Sequence, residues 1–453
     1  MRKVNKYPAT KHGASSIFLA IIMSALILVE CTFLAFVWNL DYALSVNTAL
    51  KTEIDMILSD YDRQLFSCYG IYAFSMDKVD DECFRKALEI NGLDTKSTLY
   101  SSGTSKLTAE DLKKAINSYF WYRNTGIGLS NVVDAYSDLI LQLDETGVLK
   151  KIGQYMKSPA AGYVTKLIKG SESVEEWVSQ AQDTLDIDDL TEKIDELDSI
   201  KSDFSDVLHD SDIGLDVDIA NWESFIDTLS TLERFVDYSS DNTDAVMSKL
   251  YTANYCSHNF DCWLPPKDDA SINGTPFKSI HGDKKSDCEY IITGRDDAAG
   301  LFEVYSFTVH VLIAANILKD YANPEFRNTM EVLGQIISSV ILAISEGTVD
   351  IDYRIIAAGL TLYISMFQAT SDFRKLVKGE RVTIFKYEDV DLVTFNYRDF
   401  LFLFCICIPE EKLLERSLTV LERDFGELYK GIKLETDFRG STYSLEKSYQ
   451  LYE

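Results

Sequence analysis

The hydrophobic pattern of this chain changes character once, close to Leu40. From Ile17 to Leu40 it is a 24-residue apolar run broken by a single acid, Glu30. At about 1.5 Å per residue, a helix of that length crosses a hydrocarbon core of about 30 Å with some tilt. Beyond it, apolar residues recur at helical spacing through Leu40, Leu44, Leu50, Ile54, Ile57/Leu58, Tyr61 and Leu65, with Asp and Lys between them. The pattern predicts one helix from about Ser16 to Cys68, a transmembrane part over 14–40 and a stalk over 41–75, with Gly70 as its stop signal.

Residues 76–105 lose the period and end in the Ser/Thr/Gly-rich stretch Ser97–Ser105, which predicts a variable excursion. Helical spacing resumes at Thr108-Ala-Glu-Asp, a start resembling a capping box, and runs through Leu112, Ile116 and Tyr119/Phe120. The rest of 76–255 reads as helices with acidic outer faces. Residues 256–300 are rich in turn signals, and Glu289-Tyr-Ile-Ile-Thr293 predicts a short strand closed by Gly294. Helices are expected from about Ala298 to Tyr321 and on to about Val377, and strands at Arg381–Lys386 and Gly440–Tyr452. Two apolar runs, Ile336–Ile344 and Ile355–Phe367, are shorter than the ~17 residues of a crossing and predict buried core helices. The expected fold class is mainly α with an α+β character: one membrane helix extended as a stalk, then a helical extracellular domain with a small β component. Residues 256–453 form its C-terminal α+β region.

Charge sets the orientation. Arg2, Lys3, Lys6 and Lys11 precede the apolar run without an accompanying acid, so residues 1–13 are expected to stay cytoplasmic and the bulk of the chain to be exported. A cleaved secretory signal would need small residues after Ile17–Val29, and they do not follow. Leu28-Val29-Glu30-Cys31 departs from a lipobox because Glu30 stands where a small residue is required. An acid at mid-bilayer costs on the order of 3 kcal/mol, so Glu30 is expected either to meet a partner helix or to reach the outer headgroups. Without residues 1–40 the chain holds 40 Lys+Arg against 71 Asp+Glu. Such an excess repels phosphates and argues against nucleic acid as a partner.

Candidate chemistry is sparse. Cys68/Cys83 and Cys256/Cys262 are spaced to close small loops in an oxidising compartment. Cys256, His258 and Cys262, with His281 and Cys288 downstream, could instead supply sulfur and nitrogen ligands to zinc, although the spacing matches no paired C-x-x-C template. Cys405 and Cys407 sit in the apolar run Phe400–Ile408 and read as small core hydrophobes. Between Ser171 and Ala220 lie 17 acids against two lysines, and Asp210 to Asp218 lacks the register and terminal Glu of a calcium loop, so a solvated helical face is expected. Ser75-Met-Asp-Lys78 spells S-x-x-K without its companion motifs. No catalytic residue and no cofactor is assigned.

Several blocks carry a resemblance. Gly13-Ala-Ser-Ser-Ile-Phe-Leu-Ala-Ile, Glu30, Ser59-Asp-Tyr-Asp-Arg-Gln-Leu-Phe, Ile116-Asn-Ser-Tyr-Phe-Trp-Tyr-Arg123, Tyr290-Ile-Ile-Thr-Gly294, Ser371-Asp-Phe-Arg374 and Tyr397-Arg-Asp-Phe-Leu401 are spread along most of the chain. Together they resemble a largely clostridial family of membrane-anchored proteins with no assigned activity, whose genes often lie among those for tight-adherence (Tad) pili. The N-terminus is similar to TadE/TadG-like pseudopilins, and a membrane helix emerging as an amphipathic stalk is the shape of type IV pilins. The resemblance raises the question of processing by a prepilin peptidase, with Gly13 before the cut and Ala14 as the new N-terminus; the alternative is that Gly13 only marks the start of the helix. It departs from the pilin pattern at Phe18, where a mature pilin carries Glu. The expected function is a non-catalytic, pseudopilin-like minor component or assembly factor of a Tad-like apparatus. Its partners would be the membrane and other such subunits, in a homo- or hetero-oligomer joined through the N-terminal helix. The competing readings are a membrane-tethered binding module or sensor and, last, a membrane-anchored metal-dependent hydrolase centred on His258.

Overall fold

The computed structural model describes residues 12–123, 145–168, 226, 243–267, 285–345, 348–387 and 390–449. The chain forms two compact units, Met1–Thr108 with Glu422–Glu453, and Ala109–Leu421. The helices described are α1 (His12–Ser59), α2 (Arg63–Tyr69), α3 (Glu82–Ile90), α4 (Ala109–Arg123), α5 (Val148–Met156), α6 (Ala160–Ile168) and α7 (Thr243–His258). They continue with α8 (Asp287–Thr293), α9 (Ala298–Ala322), α10 (Pro324–Ile344), α11 (Tyr353–Val377), α12 (Tyr397–Cys407) and α13 (Glu410–Phe425). The strands are β1 (Phe74–Ser75), β2 (Leu99–Lys106), β3 (Val382–Tyr387), β4 (Val390–Phe395), β5 (Leu428–Phe438) and β6 (Ser441–Ser448). The protein is mostly helical with a small antiparallel component, as its pattern predicts.

In the first unit, burial along α1 begins at Val46 and recurs at Ala49, Leu50, Glu53, Ile54, Ile57 and Leu58. Steps of three and four residues place these on one helix face. That face packs against Phe84 and Leu88 of α3 and against Ile432, Leu434 and Phe438 of β5. β5 is the central strand. β2 pairs along one side, from Leu99↔Thr436 to Lys106↔Tyr429, while β6 and then β1 occupy the other, from Phe438↔Ser441 to Ser75↔Leu428. Gly103 is required in β2, because a Cβ there would lie 2.3 Å from the Tyr429 ring.

One expectation is corrected in this unit. The stalk helix does not reach Cys68: α1 ends at Ser59, and Asp62 starts a new helix by accepting from the Gln64 and Leu65 amides at 2.9 and 3.0 Å. A side-chain acceptor that satisfies the orphan amides of a new first turn favours restarting over continuing. Gly70 does close α2, in the left-handed conformation at φ 69°. Residues 76–105, the expected variable excursion, supply α3 and most of β2.

In the second unit, α9 runs through the core and packs along α11, and α10 packs on the same helix. Met330, Leu333, Ile337 and Ile341 of α10 meet Ile356, Ala357 and Leu360 of α11, with Tyr155 and Val164 closing the cluster. The two short apolar runs are therefore core helices, as their length implies. β3 and β4 form an antiparallel hairpin from Val382↔Phe395 to Tyr387↔Val390. The expected strand at 289–293 is instead the helix α8, in which Cys288, Ile291 and Ile292 are buried at helical spacing. A boundary at 255/256 falls inside α7, so the chain divides elsewhere. The acidic stretch 171–220, the Asp210–Asp218 segment and His281 lie outside the described residues.

Candidate functional site

Two places collect the residues singled out in the sequence. The first is the N-terminal part of α1. Every residue from Ser16 to Asp41 is exposed, and its most apolar window has a mean hydropathy of 2.6 with no burial within the protein. A helix this long and apolar is consistent with a membrane anchor. Ser24 and Thr32 satisfy their hydroxyls on their own helix, donating to the Ile21 and Leu28 carbonyls at 2.8 and 2.7 Å. Glu30 lies exposed in this stretch and takes no hydrogen bond or ion pair from the described residues. Gly13 and Ala14 belong to the first turn of α1.

The second is a buried polar joint where α7, α8 and α12 meet. It begins with a reciprocal cap: the Asp399 amide donates to Asn396 Oδ1 at 3.1 Å, and the Asn396 amide to Asp399 Oδ2 at 2.8 Å. The cap fixes the first turn of α12 and buries both Tyr397 and Arg398. Arg398 Nη1 donates to the Ser257 and Phe260 carbonyls at 2.7 and 2.8 Å, satisfying acceptors at and beyond the end of α7. Tyr397 Oη donates to Glu289 Oε1 at 3.0 Å, and the Trp263 amide donates to the same oxygen at 3.0 Å. Glu289 Oε2 is buried without a hydrogen-bond partner. Burial pushes the Glu289 carboxyl up to about 7, against the lowering effect of its hydrogen bonds and of Arg398.

The metal candidates fall around this joint, each already engaged. His258 Nδ1 lies 2.8 Å from Ser257 Oγ and 3.2 Å from the Asn254 carbonyl, and burial followed by the Arg398 charge pushes it down to about 4. Cys288 Sγ donates to the Cys256 and Phe260 carbonyls at 3.3 Å, and Cys256 Sγ lies 3.3 Å from Ser417 Oγ. Burial raises the Cys256 thiol to about 12 and the Cys288 thiol well above its ordinary value. Among the described residues no three His, Cys, Asp or Glu converge on a metal position.

No disulfide joins Cys68 to Cys83 or Cys256 to Cys262, the pairings that the spacing allows. Cys83 sits against Met56 Sδ, Cys68 lies 3.7 Å from Ser67 Oγ, and Cys256 and Cys262 are core residues. Cys405 is buried and Cys407 half-buried.

Sequence reasoning missed Glu289 and Arg398 as partners in one joint, though their blocks were noted separately. Tyr290–Gly294 and Tyr397–Leu401 come together: α8 is held by Tyr397 on Glu289 and by Arg416 of α13, whose Nη1 donates to the Ile291 carbonyl at 2.9 Å and to that of Ile292. Gly294 ends α8 at φ 74°, and any Cβ there would meet the Arg416 guanidinium at 2.8 Å. Glu289, Tyr397 and Arg398 are each about 1% exposed, and the cluster joins helices within the second unit. No family model, curated protein or solved structure matches this chain.

Proposed function

We propose that this protein is a non-catalytic, membrane-anchored surface protein that acts as a pseudopilin-like minor component or assembly factor of a Tad-like pilus or secretion apparatus. The observation that carries the reading is the continuity of α1, which passes without a break from an exposed apolar half into a half embedded in the first unit's core. A tether would need only the apolar half. An unbroken helix couples the folded unit rigidly to whatever packs beside it in the bilayer, and Glu30 offers that neighbour a polar contact. The basic stub favours a cytoplasmic N-terminus with the bulk of the chain outside.

The test is the mature N-terminus together with the loss-of-function phenotype. Ala14 as the first residue by mass spectrometry marks a processed pseudopilin and an intact Met1 a fixed anchor, and deletion of the gene is expected to impair surface piliation or adhesion. An intact Met1 with normal pili in the deletion strain would overturn the reading. The second reading, a tethered binding module, is favoured by the separate compact unit Ala109–Leu421. Under it, Glu30→Leu leaves membrane partners unchanged; under the first, it removes them.

A further inference from the structure

The turn between β5 and β6 is built from the wrong residue for its shape. Phe438 pairs with Ser441, leaving Arg439 and Gly440 as a two-residue loop, with φ 51° and 79°. Positive φ at both positions is the type I′ pattern, which selects Asn, Asp or Gly at the first of them. Arg439 is the one non-glycine residue with positive φ among the described residues. An L-residue pays in conformational energy for that region, and such outliers persist where the surroundings hold them for a purpose.

The turn's surroundings are specific. The Arg439 guanidinium lies 3.9 Å from the Tyr42 ring centroid and 5.8 Å from that of Phe438, and the residue remains exposed. Tyr42 is only two residues past Leu40, where the apolar run ends, so it stands about 3 Å further along the helix axis. A headgroup layer is roughly 5–8 Å thick on each side of the hydrocarbon core. Trp38, exposed one turn earlier, and Tyr42 are the aromatic types enriched at that depth. The hairpin therefore brings a guanidinium fork, steadied on an aromatic face, to the level of the phosphodiesters.

We propose that Arg439 binds lipid headgroup phosphates, making the β5–β6 turn a second membrane contact beside α1. The proposal rests on the anchor reading of α1 and adds to it a contact from the other end of the sequence. Asp437 lies two residues before the arginine and Asp41 one residue before Tyr42, and Asp437 accepts from Thr442 Oγ1 at 2.6 Å. Recognition thus depends on the bidentate fit of guanidinium to phosphate and not on a general basic field. The acidic surplus of the exported chain makes such a local contact necessary if this face is to lie against phospholipid.

The test follows backbone amide exchange at residues 437–443 of the full chain in maltoside micelles, whose sugar headgroups lack phosphate. The three conditions are micelles alone, micelles containing phosphatidylglycerol, and micelles with inorganic phosphate. In the wild type, phosphatidylglycerol is expected to slow exchange about five-fold, the factor equivalent to ~1 kcal/mol per basic residue at a lipid surface. Inorganic phosphate should leave it unchanged. Arg439→Gly suits the turn better and should fold, yet should lose the lipid effect. Equal slowing in wild type and Arg439→Gly, or the same slowing with inorganic phosphate, would overturn the proposal. Alkali-resistant incorporation into phospholipid vesicles reports separately on the anchor: a chain that fails to incorporate overturns the anchor and this contact together, whereas an incorporated chain lacking the exchange effect overturns the contact alone.

Discussion

Two helices of this protein have the composition of a membrane span, and they meet opposite surroundings. The apolar window of α1 has a mean hydropathy of 2.6 and is 0% buried, whereas that of α9 has 1.6 and is 72% buried. Polar residues mark the difference. α9 carries Thr308, His310, Asn316 and Asp320 as buried side chains. Thr308 turns back on its own helix, donating to the Val304 carbonyl at 3.0 Å, but other parts of the protein answer the amide and the acid: Asn316 Nδ2 donates to Asp372 Oδ2 at 3.3 Å, and Asp320 accepts from Ser365 at 3.4 Å and Gln368 at 3.3 Å. In the apolar half of α1, Ser24 and Thr32 turn back on their own helix and Glu30 has no partner among the described residues. Apolar content says only that water is excluded; the supply of polar partners says whether protein or lipid excludes it.

The largest expected effect breaks the comparison by placing the same charge in both helices. Ala314→Lys puts an ammonium where α9 is fully buried and should cost more than ~4 kcal/mol, unfolding the second unit in a thermal melt. Leu26→Lys should leave that melt unchanged in detergent while hindering membrane insertion by about 3 kcal/mol. Equal melts for the two variants would remove the distinction.

A smaller effect contrasts an acid held in protein with the acid of the apolar run. Glu289 is raised from 4.5 to about 7, so the folded state holds its proton more tightly than the unfolded chain. Its contribution to stability is therefore fully favourable below about pH 4.5, falls as pH rises, and reaches its minimum above about pH 7. Glu289→Gln mimics the protonated form and should be more stable than wild type by on the order of 2–3 kcal/mol at pH 8, with little difference at pH 4.5. His258 and His310, each lowered to about 4, slope the other way between about pH 6.5 and 4. The informative quantity is consequently the difference between the two denaturation curves. A constant difference across pH would show that Glu289 does not titrate in this range.

What could be read from the sequence followed local period. The buried face of α1 was legible because Leu50, Ile54 and Ile57/Leu58 repeat at helical spacing, and the core helices α10 and α11 because their apolar runs are too short to cross a bilayer. Asp62 was a readable cap signal that the longer apolar pattern masked. β5 was readable too, since Ile432, Leu434, Thr436 and Phe438 alternate, but it went unassigned. β2 was not legible: Leu99–Lys106 has the composition of a linker and becomes a strand by pairing with β5, more than 300 residues later. The helix α8 defied its β-branched content because Arg416 and Tyr397, both distant in sequence, hold its end and its acid. The joint around Glu289 and Arg398 was hidden for the same reason.

The most direct measurement is a spin-label scan of α1 in the full chain reconstituted into vesicles, with Cys31, Cys68, Cys83 and Cys407 replaced. From Ile21 to Phe36, labels should be accessible to oxygen and shielded from a polar nickel complex, without period. From Tyr42 to Ser59 accessibility should oscillate at about 3.6 residues, with minima at Val46, Leu50, Ile54 and Ile57. Nickel access throughout Ile21–Phe36, or no oscillation beyond Tyr42, would contradict one continuous helix that leaves lipid and enters a protein core.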